Sequence, residues 1–92
     1  MSEAQPWDAR MYRKKPVVIS AMLFTGSHES ALAIQRWCGA ANADVTDHGL
    51  YINTLEGRML ANCGAYVIRG VQGEFYPCQR SIFEATYEPV EG

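Results

Sequence analysis

Glycines divide the second half of the sequence into short apolar runs, and this division most limits what the chain can fold into. Turn-forming residues occur at Glu56-Gly57, at Asn62-Cys63-Gly64 and between Gly70 and Gly73. Short apolar runs between such signals are typical of strands joined by tight turns. The pattern predicts strands at Leu50 to Leu55, Arg58 to Ala61, Ala65 to Arg69 and Glu74 to Tyr76.

The first half of the sequence predicts one further strand and one long helix. The run from Val17 to Phe24 has apolar residues on both faces, which indicates a central strand. Ser27 or Ser30 can cap a helix that extends to about Cys38. Gly39 follows, and glycine suits the left-handed stop of a helix.

The end of the chain predicts two short elements. Ser81-Ile82-Phe83-Glu84 has the capping-box pattern of a helical turn, and Tyr87 to Pro89 predicts an edge strand. All the elements together indicate the α+β class, with one α-helix packed on a small, mainly antiparallel β-sheet. Residues 1–9 are predicted to form a flexible N-terminal arm, and residues 10–92 a single α+β domain.

Size, charge and cysteine spacing exclude several classes of protein. The 92 residues carry a formal net charge of −2, whereas binding to a nucleic-acid duplex normally needs a basic excess. Every apolar run is far shorter than the roughly 20 residues of a membrane span, so no membrane partner is expected. Cys38, Cys63 and Cys78 are widely spaced, which predicts neither disulfides nor a zinc site and is typical of a reducing cytoplasm. No metal or other cofactor is expected.

The sequence contains no convincing catalytic group. Cys78 and His48 are the one tempting pair of nucleophile and base, but a cysteine after a proline in an apolar stretch is more typical of a buried, inert thiol. Glu56 and Glu74 each adjoin a glycine at a predicted turn, which favours solvated turn residues over an acid/base pair. We therefore expect that the protein is not an enzyme.

Two groups of residues are candidates for ligand binding. Arg13-Lys14-Lys15 is either a solvated run that discourages edge pairing or a clamp for phosphate. Tyr76 lies between Glu74 and Arg80, and this trio can present a stacking face, an acceptor for a base amine and a phosphate donor. Alternatively, the ring packs across a strand. The same alternatives apply to three further tyrosines, Tyr12, Tyr66 and Tyr87.

Three stretches resemble a small protein family that is widespread in tailed bacteriophages. They are MYRKKPVVISAMLFTG, LYINTLEGRMLANCGAYVIRGVQGEFYPC and SIFEATYEPV. The family pattern opens with Tyr-Arg-Lys-Lys-Pro-Val and closes with Gly-Val-x-Gly-Glu-Phe-Tyr-Pro-Cys and Phe-x-x-Thr-Tyr-Glu. The resemblance covers most of the chain from Met11 to Val90, and the block from Gly70 to Cys78 is its most specific part.

This family is similar to the anti-CBASS group of viral sponge proteins, which bind cyclic oligonucleotides and sequester them without cleavage. The resemblance implies phage immune evasion in the host cytoplasm, directed at signals such as 3',3'-cyclic GMP-AMP. It also implies a homo-oligomer, a dimer or tetramer, with the ligand at the subunit junctions. The implied ligand-binding residues are Tyr12, Arg13, Lys14, Glu74, Tyr76 and Arg80. Their cations neutralise phosphate, their tyrosines stack on or bond to bases, and the carboxylate accepts from a base amine.

The chain departs from the family pattern at two places. Cys63-Gly64-Ala65 replaces Pro-Gly-Asp, and Gln79-Arg80-Ser81 replaces Lys-Pro-Asp, which implies a different ligand preference. The alternative function is a phage structural or host-protein interaction module with no small-molecule ligand. In that case a sheet edge or helix face binds a protein, and the basic run only solubilises the surface.

Overall fold

The described part of the polypeptide forms six short strands and two helices, and the strands make up two sheets. The computed structural model describes residues 5–90. Its elements are β1 (Ser20–Leu23), α1 (His28–Cys38), β2 (Ala43–Thr46), β3 (Gly49–Thr54), β4 (Gly57–Ala61), β5 (Tyr66–Arg69), β6 (Phe75–Cys78) and α2 (Arg80–Thr86). The strands form two antiparallel three-stranded sheets, ordered β1-β5-β6 and β2-β3-β4. The α+β class is confirmed, but the prediction of one helix on one sheet is wrong, because this part of the chain has two of each.

Local turn chemistry forms the β2-β3-β4 sheet. Thr46 precedes the β2–β3 turn, and its Oγ1 accepts from the His48 backbone N at 3.0 Å. Thr54 repeats this arrangement before the β3–β4 turn, where its Oγ1 accepts from the Glu56 N at 3.1 Å. Threonine hydroxyls stabilise turns in this way. The two hairpins form a three-stranded meander, and β5 belongs to the other sheet.

The chain then crosses to the other sheet, where β5 is the central strand. β5 pairs with β1 on one side and with β6 on the other. The Phe24 N donates to the Ala65 O at 2.9 Å, which continues the β1–β5 pairing beyond the strands. The prediction of a central strand from Val17 is wrong, because β1 begins only at Ser20 and lies at the edge of its sheet. Val17 and Val18 are 43% and 76% exposed, so neither packs as a central-strand residue would.

The helix α1 forms where the sequence predicts it. Ser27 is its N-cap, and the Ser27 side chain accepts from the Ser30 N at 3.0 Å. Ala31 and Ile34 are buried on the inner face of the helix. Gly39 ends it with a φ of +89°, a value that glycine adopts without strain.

The hydrophobic core lies between α1 and the two sheets. Trp37 of α1 meets the ring of Phe75 of β6 edge to face, with centroids 5.3 Å apart. Aromatic pairs prefer this geometry. The buried members of the core are Phe24, Ala31, Ile34, Cys38, Ala43, Leu50, Ile52, Ala61, Val67 and Phe75. Because these residues come from α1 and from both sheets, one core joins the three, and β6 also contacts β3 and β4 directly.

Three further predictions concern the ends of the chain. Ser81 does not cap α2, because the N-cap is Gln79, which makes no side-chain capping bond. Tyr87 to Pro89 form no strand. The boundary between a flexible arm, residues 1–9, and a domain, residues 10–92, stays a prediction, since residues 1–4, 91 and 92 lie outside the described part. Neither helix of the described chain is long and apolar enough to cross a bilayer.

Candidate functional site

Three of the predicted ligand-binding residues line one cavity, which we call the basic–aromatic cavity. Its volume is about 300 Å³. Its lining residues are Lys14, Lys15, Val17, Ile19, Gly70, Val71, Glu74, Tyr76 and Tyr87. They come from the segment before β1, the turn before β6, β6 itself and the end of α2. The fold therefore joins the two ends of the chain at this point.

An aromatic stack holds Tyr87 at the cavity. The rings of Tyr66 and Phe83 are stacked with centroids 3.9 Å apart, and Phe83 and Tyr87 follow at 5.1 Å. The Tyr87 N donates to the Phe83 O at 2.8 Å, which ends α2. Aromatic pairs contribute about 0.5–1.5 kcal/mol each beyond the area they bury. The stack thus positions the Tyr87 ring, whose hydroxyl bonds to Lys14 of the cavity lining.

Lys14 provides an oriented positive charge. Its Nζ donates to the Tyr87 hydroxyl at 3.0 Å and lies 4.3 Å from the centroid of that ring. A lysine over an exposed aromatic ring gains about 0.5–1 kcal/mol from the cation–π interaction. The ammonium has two further N–H groups to offer a ligand. Lys15 lines the same cavity, so a second cation is close by.

Glu74 has a structural role in the turn before β6. The Gly70 N donates to the Glu74 backbone O at 2.7 Å, and the Gln72 N donates to the Glu74 Oε2 at 3.0 Å. A Cβ at Gly70 would overlap the Glu74 carboxylate, so only glycine leaves room for it. Oε2 therefore holds the turn, while Oε1 packs against Gly70.

Tyr76 is a neutral hydrogen-bond donor at physiological pH. Burial, together with its hydrogen bond to Tyr87 and the negative charge of Glu74, raises the pKa of the Tyr76 hydroxyl to about 12. A phenol with this pKa keeps its proton at neutral pH. The hydroxyl therefore stays neutral at the cavity, where its proton is engaged with Tyr87 and its oxygen can accept from a base amine.

The other predicted residues lie elsewhere. Tyr12 is 87% exposed, and Arg13 is exposed beside it on the segment before β1. Arg80 lines a cleft of about 860 Å³ between β4 and α2. Its Nε donates to the Glu84 Oε1 at 2.9 Å, one helical turn away. Although this cleft is larger, its cation is already paired with a carboxylate, so it has less attraction for an anion than the basic–aromatic cavity.

Cys78 and His48, the candidate catalytic pair, lie in a strand of one sheet and in a turn of the other. His48 lies in the β2–β3 turn, whereas Cys78 ends β6 with its Sγ directed to the Gln79 O at 3.6 Å. Burial raises the pKa of the Cys38 thiol to about 11, which keeps it protonated and unreactive. Across residues 5–90, no group of three or more His, Cys, Asp or Glu side chains could hold a metal ion.

Tyr87 is one of the candidate tyrosines of the sequence but not a member of the predicted site. Lys14 and Tyr87 are 73 positions apart, and no local pattern indicates that they meet. The useful signal was the spacing of Phe83 and Tyr87, which puts both rings on one face of a helix. Lys15 belongs to the basic run but not to the predicted site, because the sequence does not indicate which of the adjacent cations line a cavity.

We compared the chain with protein-family models, curated proteins and solved structures. None of the three comparisons gives a match.

Proposed function

We propose that the protein binds cyclic oligonucleotide signals, such as 3',3'-cyclic GMP-AMP, and sequesters them as a phage immune-evasion sponge in the host cytoplasm. The observation that carries the proposal is the convergence of Lys14, Glu74 and Tyr76 with Tyr87 around one cavity. A nucleotide has a phosphate, a flat base and polar base edges. The cavity offers an ammonium, tyrosine rings, a phenol hydroxyl and a carboxylate that match these groups.

Phosphate recognition rests on Lys14 and Lys15. Hydrogen bonds to charged groups contribute about 1.5–3 kcal/mol each. Lys14 is already held by Tyr87, so less side-chain freedom is lost when a ligand binds. Tyr76 adds a neutral hydroxyl that does not repel an anion.

Sequestration without cleavage matches the chemistry of the lining. The cavity lining contains no Cys, His, Ser or Thr, and its one carboxylate, Glu74, is bound in the turn before β6. A sponge instead needs affinity, and a nanomolar dissociation constant corresponds to roughly −12 kcal/mol. One stacked base supplies about 1–3 kcal/mol. A single cavity of about 300 Å³ therefore provides only part of the contact, and two copies of the chain would share each ligand as a homo-oligomer.

The test is capture and release of intact ligand. Purified protein is mixed with a panel of cyclic di- and trinucleotides, separated from free ligand, then heated to release what it holds. We expect one or more nucleotides to be recovered unchanged. A cleaved product would instead identify an enzyme.

A matched pair of variants locates the site. Lys14→Gln should weaken capture about tenfold or more, because one charged hydrogen bond is lost. Arg36→Gln removes the same charge from the exposed face of α1 and should leave capture unchanged. Equal effects of the two variants would mean that only net charge matters.

The second candidate is a protein-interaction module without a small-molecule ligand. It is favoured by β4, an edge strand whose Met59 and Leu60 are 44% and 45% exposed. Edge strands with apolar side chains are templates for pairing with another chain. If no nucleotide of the panel is retained, this candidate replaces the sponge.

A further inference from the structure

The N-terminal segment, residues 5–18, extends away from the rest of the described chain, which we call the body (residues 19–90). The chain measures 60 × 33 × 22 Å, and its radius of gyration is 16.6 Å. A compact chain of this length has a radius of about 12 Å. Trp7, Met11 and Tyr12 on the segment are 80%, 101% and 87% exposed. Single copies therefore leave three large apolar side chains uncovered on one stretch of chain.

The C-terminal end of the N-terminal segment is attached to the body at the basic–aromatic cavity. Lys14 bonds to Tyr87, and Val17 and Ile19 line the same cavity as that ring. The residues before Lys14 follow from this anchor without packing on the body. An extended residue spans about 3.3 Å, so the residues from Ala9 to Arg13, which follow a turn at Pro6 to Asp8, can reach up to roughly 16 Å beyond the anchor.

The body carries a groove with the complementary properties. This acidic–apolar groove has a volume of about 440 Å³ and lies between the β3–β4 turn, β4 and the start of β6. Leu55 and Met59 form its apolar part and are 78% and 44% exposed. Glu56 and Glu74 supply carboxylates at its edge.

The N-terminal segment and the body also carry opposite net charges. The N-terminal segment has four cations and one carboxylate, a net charge of +3. The body has four cations and seven carboxylates, a net charge of −3. Opposite charge of this size steers two surfaces together and fixes their orientation.

We infer that the N-terminal segment of one copy docks in the acidic–apolar groove of a second copy, and that the two copies exchange segments reciprocally. Met11 and Tyr12 cover Leu55 and Met59 of the opposite copy, and Arg13 lies against Glu56. A buried aromatic ring contributes about 150–250 Å². The Tyr12 ring and the Met11 side chain of each of two segments, with the surfaces that they cover, approach the roughly 1,200 Å² of a specific interface.

The exchange goes beyond the proposed function and does not depend on it. The acidic–apolar groove and the basic–aromatic cavity share Glu74 and Tyr76. A docked segment therefore brings Tyr12 and Arg13 of one copy next to the cavity of the other. This last step, in which the second copy completes the nucleotide site, rests on the proposed function.

The test is the mass of the protein in solution without nucleotide, measured by sedimentation equilibrium. We expect the full chain to have twice the chain mass of 10.2 kDa. Met11→Ser/Tyr12→Ser, with a defective segment, and Leu55→Ser/Met59→Ser, with a defective groove, should each weaken dimerisation at least tenfold. Leu32→Ser replaces an apolar side chain on α1 that is 37% exposed, and it should leave the dimer unchanged.

A mixture of the two double variants makes the test specific. Each heterodimer regains one intact junction, the segment of one copy with the groove of the other, so dimers should reappear on mixing. A full chain with the mass of one copy overturns the inference, as does a Met11→Ser/Tyr12→Ser variant that dimerises like the original chain. Circular dichroism confirms folding of each variant; if the groove variant does not fold, the segment variant decides alone.

Nucleotide capture is measured separately, so the two proposals can fail independently. A monomeric protein that captures nucleotide overturns the proposed segment exchange and leaves the proposed sponge function in place. A segment-dependent dimer that retains no nucleotide overturns the sponge and leaves the exchange in place.

Discussion

At the scale of single residues, the Tyr76 hydroxyl links pH to stability. Its pKa is raised to about 12 from the usual 10.0, first by burial, then by the hydrogen bond to Tyr87 and the charge of Glu74. The folded state thus holds this proton more tightly than the unfolded state does. The stabilisation is complete below pH 10 and is lost as the pH rises through about 12.

We predict that Tyr76→Phe reduces the decline of stability in this pH window. Phenylalanine cannot ionise, so the folded state no longer has a proton to lose at this position. Urea unfolding of both proteins below pH 10 and near pH 12 measures the effect. Tyr51→Phe removes a hydroxyl from β3, outside the basic–aromatic cavity, and serves as the matched control. If Tyr76→Phe declines as steeply as the original chain, another group is responsible.

The site residues also show what sequence can reveal at this scale. Residue type identified Lys14 and Tyr76 as groups that suit a nucleotide, and both line the cavity. Residue type did not reveal that Glu74 holds its own turn, since this depends on the close approach of the carboxylate to Gly70. Tyr87 was missed because its partner Lys14 comes from the opposite end of the chain.

At the scale of elements, the two helices differ in how they begin. Ser27 caps α1 through a 3.0 Å bond from the Ser30 N, whereas α2 has no side-chain cap. We predict that Ser27→Ala lowers the free energy of unfolding by about 1 kcal/mol, since one backbone N–H loses its partner. Ser81→Ala alters the residue that the capping-box pattern selected and should change stability by less than about 0.5 kcal/mol. Urea denaturation of both variants measures the difference, and equal losses would contradict it.

Elements encoded locally were predictable, and elements that depend on distant partners were not. The helix α1 has its cap, apolar stripe and glycine stop within a short stretch, so its bounds follow from the sequence. The strand β2 was missed because Asp44 and its neighbours lack an apolar run, and its partner β3 decides that it forms. The edge position of β1 and the division into two sheets likewise depend on pairing over long separations.

At the scale of the whole molecule, charge and shape are unevenly distributed. The N-terminal segment is basic and exposed, whereas the body is acidic and holds the buried core. A core this small benefits from added burial, because a short chain buries only about 60% of its unfolded surface. Exchange of segments would supply that burial and would remove the exposed apolar side chains from water.

Salt should weaken the exchanged dimer, because attraction between segment and body contributes to it. The Debye length falls from about 10 Å at 0.1 M salt to about 3 Å at 1 M, so added sodium chloride screens the attraction. We predict a dissociation constant that rises several-fold over this range when sedimentation equilibrium is repeated at each concentration. Arg13→Gln should flatten the dependence, because one of the interacting charges is gone, whereas Arg36→Gln on α1 should not. A dimer that becomes tighter with salt would show that the apolar contacts of Met11 and Tyr12 dominate and that the charges only guide association.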